Sequence, residues 1–229
     1  MKINTISDDA LVLSRVNYGE TDRILNVLCA RHGKLSVIAK GVRAGKSKLA
    51  GGIELFAENE LVLLKGKGDL YIVTSSRMKN YYGDITKDLD ASSYAYECLK
   101  MINKLVPEGS GEEYFEPLLI LMTALNQNKI PLQQVKIWFG LKILKNLGSL
   151  PNFMKDSSGR GLAEDSGFEY DFDKNHFFTK DNGTYNPGHV KVLRHLSKTA
   201  KPVEIKTKDI RLIDTTVDLT ALLLRFHLS

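Results

Sequence analysis

After Gly83 the spacing of apolar residues changes from every second position to every third or fourth, which divides the chain into a β-rich first third and a helical remainder. Ahead of that switch, segments 10–18, 24–30, 35–39, 60–64 and 70–74 are short runs of the side chains that suit a pleated, half-buried surface. Gly19 and residues 31–34 and 65–69 make hairpin-sized connections, whereas 40–53 is a longer excursion between the third and fourth runs. Five strands with one long connection after the third predict a small closed barrel of the OB type, and the whole chain reads as α+β.

The helical remainder is punctuated by proline, glycine and asparagine. Residues 91–106 put Tyr94, Cys98, Met101, Ile102 and Leu105 on one stripe, and Pro107 stops that helix. A second helix fits 112–126, frayed before Pro117. A third has Pro131 in its first turn and Gly148 at its C-cap. Residues 149–186 are a polar insertion in which 168–172 and 176–179 pair as a small hairpin. Asn186 and Pro187 then open a helix to about Ala200, and Thr207 caps a last helix through Phe226. The predicted organisation is a barrel domain over 1–80 and a mainly helical domain over 81–229.

The net charge of +5 sits entirely in the barrel: residues 1–79 hold 13 Lys and Arg against 8 Asp and Glu, and the other 150 hold 19 against 19. Its focus is the segment 40–48, where Lys40, Arg43, Lys46 and Lys48 lie in nine residues with no acid among them. Such a loop suits a polyphosphate backbone. Four engaged phosphates would give a log K against log salt slope of about −3.6 on duplex, or about −2.8 on a single strand. Arg15, Arg23, Lys65, Lys67 and Arg77 belong to the same barrel and extend the predicted nucleic-acid-binding set. Stacking platforms are few. Of Tyr18, Phe56 and Tyr71, the last two are expected in the core, so binding should be chiefly electrostatic and should accept both single- and double-stranded DNA.

Other chemistries are poorly supplied. Gly41 to Ser47 resembles a phosphate-binding P-loop, but only three residues separate its glycines where four are required, and Gly51-Gly52 opposes the helix that should follow. The five histidines are scattered, and Glu169, Asp171 and Asp173 lack the turn glycine and closing glutamate of a calcium loop. Cys29 and Cys98, each inside an apolar run, read as reduced core thiols. With no catalytic grouping, cofactor site or membrane-spanning run, and acids where a signal peptide would be apolar, the expectation is a non-enzymatic, cytoplasmic, nucleoid-associated protein.

Residues 10–23, with Gly19-Glu20-Thr21-Asp22-Arg23 at their end, 32–41, ending in Ala39-Lys40-Gly41, and 47–56 together resemble the RecO family of bacterial recombination mediators. Residues 94–99 and 139–148 and Pro151 continue the pattern to about residue 153. The resemblance implies an OB-fold followed by a helical domain, DNA binding and strand annealing. It also implies partnership with RecR and single-stranded DNA-binding protein in loading a RecA-type recombinase. The acidic tail of the latter partner needs a basic-rimmed apolar groove, here placed near Lys136, Trp138, Lys142 or Lys145, with Trp138 equally readable as core. An RNA-directed OB module and an adaptor that binds no DNA remain the alternatives.

Two features depart from the family. Many members carry two Cys-x-x-Cys pairs after the helix that ends here at Gly148, where this chain has Lys155 to Ser158 and Phe178 to Asp181. No zinc is therefore expected, and the insertion should persist as a metal-free hairpin held by Phe168, Phe172, Phe177 or Phe178. The sequence also stops at Ser229 without the basic, serine-containing tail common in the family.

Overall fold

The computed structural model describes residues 5–44, 47, 49, 53–66, 68, 70–156, 158–162 and 167–228, which form two compact units, Met1–Gln127 and Asn128–Ser229. In the first, strands β1 (Thr5–Tyr18), β2 (Asp22–Cys29), β3 (Gly33–Ala39), β4 (Ala57–Lys65) and β5 (Tyr71–Tyr81) close a barrel in the order β1-β2-β3-β5-β4. Alternation supplies the interior: Val12, Leu25, Val27, Val37, Leu61, Leu63 and Val73 are all buried on its inner face. β1 serves two neighbours, pairing with β4 through residues 5–11 and with β2 through 10–18. A register shift between Val12 and Ser14 lets it bend from one to the other.

The weak seam is β3 against β5, where only Val37↔Tyr71 and Ile38↔Ile72 pair, in parallel. The segment after the first helix fills the rest of that edge. Gly109 N–H donates to Lys34 O (2.7 Å), Lys34 N–H to Ser110 O (2.8 Å), and the Ser36 amide to the Glu108 carboxylate. Gly33 allows the approach: its φ is +64°, and a Cβ there would fall on the Ser110 carbonyl.

This unit also holds α1 (Leu89–Leu105) and α2 (Phe115–Gln127). Asp88 caps α1 by accepting from Ala91 N (2.9 Å), and Pro107 follows its end as the sequence suggests. The buried stripe is Ala91, Ala95, Cys98, Leu99 and Ile102, with Tyr94, Met101 and Leu105 at its margin rather than its centre. Pro117 is accommodated in the first turn of α2, after a 3-10 turn at Glu112–Tyr114. The change from strand to helix near residue 81 and the division between compact units at Gln127 are thus different boundaries.

The second unit packs α3 (Leu132–Asn146), α4 (Pro187–Lys198) and α5 (Ile210–Leu228) with the hairpin β6 (Phe168–Asp171) and β7 (His176–Thr179). Gly148, at φ +70°, ends α3 with Ser149 N–H reaching back to Leu144 O (2.8 Å). Asn186 and His189 form a capping box at α4. At α5 the cap is Asp209, whose carboxylate accepts from Leu212 N (3.2 Å). Thr207, the residue expected there, instead accepts from Asp209 N (3.1 Å).

The insertion is held by aromatic rings. Phe177 is fully buried among Phe153, Phe168, Tyr170 and Tyr185, Phe172 packs at the margin against Tyr170 and Phe226, and Phe178 is only partly buried. Where the family places its first cysteine pair, Asp156 closes the turn by accepting from Ser158 N (2.8 Å), Ser158 Oγ (2.7 Å) and Arg160 N (2.9 Å). Lys155, Ser158, Phe178 and Asp181 do not make a zinc donor set. Among the described residues no cluster of His, Cys, Asp and Glu is placed to hold a metal ion.

Candidate nucleic-acid interface

Strand register brings three connections to one end of the barrel. Arg23 pairs with Ala39, so the β1–β2 turn lies beside the end of β3. Val37 pairs with Tyr71 and Tyr71 with Lys65, so the β4–β5 hairpin lies there too. In OB barrels the first and last hairpin loops flank the oligonucleotide-binding face.

The basic loop is pinned to this end at its start. Gly41, at φ +64°, donates its amide to Asp22 Oδ1 (2.7 Å). Arg43 N–H donates to Thr21 O (2.8 Å), and the Arg43 guanidinium reaches Gly19 O (3.3 Å). Val42 between them is buried in the barrel core, which turns Lys40 and Arg43 outward. The Gly41 amide, the Thr21 hydroxyl and the nearby Lys40 charge hold the Asp22 carboxyl below its usual range. Asp22 is therefore the anchor of the loop, a role that composition alone does not reveal. Lys65 extends over the Tyr71 ring, 5.5 Å from its centroid. Lys40, Arg43 and Lys65 are exposed and, among the described residues, have no carboxylate within ion-pair distance. Lys46, Lys48 and Lys67 lie outside the described residues.

The other cations named from sequence are paired. Arg15 and Arg23 both reach Glu54, Arg15 in a short contact to Oε2 and Arg23 at 3.5 Å from Oε1. Arg77 is not at this end. It is bonded to Glu60 (2.6 Å and 2.9 Å), five positions and about 17 Å of strand from Lys65. Its surroundings are charge-balanced, with Lys79 bridging Asp9 (2.7 Å) and Glu58 (3.1 Å).

Of the three aromatic residues considered, Phe56 is buried edge-on to Tyr96, Tyr71 packs against the barrel core, and Tyr18 alone is open, 57% exposed. Tyr18 shares the outer face of the hairpin with Val16, which is 64% exposed. Val16 in turn heads a row that the sequence reading missed. Val16↔Ile24, Ile24↔Ile38, Ile38↔Ile72 and Leu64↔Ile72 pair successively around the outside of the barrel. The signal was available for Ile24, Ile38, Leu64 and Ile72, each of which adjoins a buried residue, though not for Val16, and only pairing shows that they align.

In the second unit Trp138 is fully buried and its indole N–H donates to Thr199 O (3.2 Å), so it is core and walls no groove. A cleft of about 560 Å³ opens instead at the start of α3, lined by Gln134, Ile205, Lys206, Lys208, Ile210 and Ile213 among others. The zero net charge after residue 79 also conceals a concentration: residues 186–211 carry seven Lys and Arg against two acids.

Comparison with known proteins agrees with this architecture. Residues 1–82 match the family described as "Recombination protein O N terminal" and residues 86–229 the one described as "Recombination protein O C terminal". The chain is 32% identical over 151 residues to the DNA repair protein RecO of Acetivibrio thermocellus, covering 65% of this chain and 59% of that one. It is 37% identical over 142 residues to the DNA repair protein RecO of Heliobacterium modesticaldum, covering 62% and 51%. A third, from Alkaliphilus metalliredigens, is 30% identical over 148 residues, covering 64% and 60%. The matched segment thus spans between about half and three-fifths of the length of these relatives.

Proposed function

The chain belongs to the RecO family, and from that membership we propose that it acts in DNA repair and recombination as a non-enzymatic mediator whose barrel holds the phosphate backbone of single- and double-stranded DNA. The observation that carries this reading is the convergence on one barrel end of exposed Lys40, Arg43 and Lys65, which have no ion-pair partner among the described residues. Backbone neutralisation explains annealing without base reading, because two strands relieved of mutual repulsion pair by their own complementarity. With RecR as partner the chain would assist loading of a RecA-type recombinase on DNA covered by single-stranded DNA-binding protein. For the acidic tail of the latter the cleft offers an apolar floor with Lys206 and Lys208 on its rim, beside Glu204 and Asp214, so the two lysines would have to carry the contact. Among the described residues no helix is long and apolar enough to cross a membrane, and a cytoplasmic location is part of the proposal.

The test is the salt dependence of oligonucleotide binding. If Lys40, Arg43 and Lys65 each neutralise one phosphate, replacing all three by alanine flattens the log K against log salt slope by about 2.1 on a single strand and about 2.7 on duplex. An unchanged slope removes this end from the account. Competition between DNA and RNA of one sequence then decides against an RNA-directed module, which would prefer 2′-hydroxyls.

A further inference from the structure

Arg15 and Arg23 converge on a carboxylate that the chain itself supplies. Arg15 lies opposite Leu25 and Asn17 opposite Arg23, so both arginines leave the β1–β2 hairpin on the face that continues the barrel interior. Leu25 on that face is fully buried; Arg15 lies across from it and Arg23 one step nearer the tip, their side chains 33% and 24% exposed. Arg23 Nε is held by Asn17 Oδ1 (3.3 Å), which leaves its outer fork for Glu54. Glu54 is not a dangling acid. Ile53 and Phe56 are buried on either side of it and Leu55 packs against the barrel core, so its backbone is fixed while its side chain is 38% exposed.

A carboxylate between two guanidinium forks presents what a phosphodiester presents: one negative charge shared by two oxygens. Two arginines against one glutamate also leave a charge uncompensated, so the pair is cationic even when Glu54 is bound. The same carboxylate ties down the far end of the connection that begins with Lys40 and Arg43, whose near end is tied by Asp22. We infer that Arg15 and Arg23 form a phosphodiester site that Glu54 occupies in the free protein, and that a nucleic-acid strand binds there by displacing Glu54. This rests on the reading of the barrel end as a DNA-backbone surface. Glu54 then acts as a built-in competitor that weakens binding without altering the number of phosphates engaged.

The experiment uses the full chain and a single-stranded thymidine oligonucleotide. Glu54→Gln keeps the shape and removes the charge, so affinity at low salt rises roughly fivefold, the order expected for losing two half-exposed ion pairs, while the salt slope stays as in the wild type. Arg15→Gln costs more affinity in the Glu54→Gln background than in the wild type, because only there does Arg15 lack a competitor for the phosphate. In the unmodified protein, the arginine Nε–Hε resonances of Arg15 and Arg23 shift on titration with the oligonucleotide. This readout does not depend on any variant folding. Unchanged or reduced affinity in Glu54→Gln, or static arginine resonances while Lys40 and Arg43 variants lose binding, overturns the exchange alone. Absence of oligonucleotide binding by the wild type overturns both the exchange and the DNA reading.

Discussion

Truncation of Phe177 to alanine tests whether aromatic packing alone holds the insertion in the second unit. The ring is fully buried and its centroid lies 5.0 Å from Tyr170, 5.8 Å from Tyr185 and 6.4 Å from each of Phe153 and Phe168. Removing a buried phenylalanine costs about 3–5 kcal/mol through lost transfer energy and the cavity left behind. Edge-to-face contacts add about 0.5–1.5 kcal/mol per pair beyond area, which places this site toward the upper end, about 4–5 kcal/mol. At a urea m-value of about 2 kcal/mol/M the midpoint falls by about 2 M. The chain has one tryptophan, Trp138, fully buried in this unit, so its fluorescence reports the unit even where the barrel unfolds in a separate step. The wild-type midpoint should be the same with and without EDTA. A loss below about 1.5 kcal/mol, far under the usual cost for a buried ring, would refute the packing account, and a wild-type midpoint lowered by EDTA would show that a metal does the work.

Gly33→Ala should destabilise the first unit by more than Gly19→Ala. Both have positive φ, worth about 1–2 kcal/mol of strain, but only at Gly33 does the added Cβ meet backbone, and that overlap adds about 1–3 kcal/mol. Equal losses in thermal unfolding would show that the 107–111 segment does not seal the β3 edge. The anchor of the basic loop should be pH-sensitive with a defined sign. Because the Gly41 amide and the Thr21 hydroxyl depress the Asp22 carboxyl, its contribution is complete above the unfolded value, near 3.9, and is lost as pH falls through the lower folded one. The Gly41 amide resonance should therefore titrate with a midpoint below that of a free aspartate. A midpoint at or above it would deny the hydrogen bond.

Punctuation made the helices legible: Pro107, Pro131, Gly148 and Asn186 mark ends that the structure places within a few residues. The strands were found but undersized, and the reason differs for each. β5 continues through Ser75, Ser76, Arg77, Lys79 and Asn80, whose polar side chains show no alternation, because what holds them is the backbone ladder to β4. β1 begins five residues earlier than its apolar run. There Asp8, a buried acid satisfied by the Arg31 amide and His32 Nδ1 (2.5 Å), interrupts the pattern that a strand would otherwise show. Hydrophobic period reads burial, and apart from Ile6, which packs against the barrel core, neither stretch buries much apolar surface.

The cations were legible as a count but not as a surface, since a charge count cannot say which charges are already spent. Arg15 and Arg23 are partnered by a residue 39 and 31 positions away, and Arg77 by one 17 positions away across a strand pair. The third closes when β4 and β5 pair as a hairpin, and the first two only when the connection after β3 folds back onto the β1–β2 hairpin. What then distinguishes Lys40, Arg43 and Lys65 is that, among the described residues, no carboxylate lies within ion-pair distance of them, rather than a density of bases. The same logic runs in reverse at Glu54. In sequence it is one acid among eight in a basic region, and in the fold it is the group that Arg15 and Arg23 both hold, which under the proposed exchange a phosphate would replace.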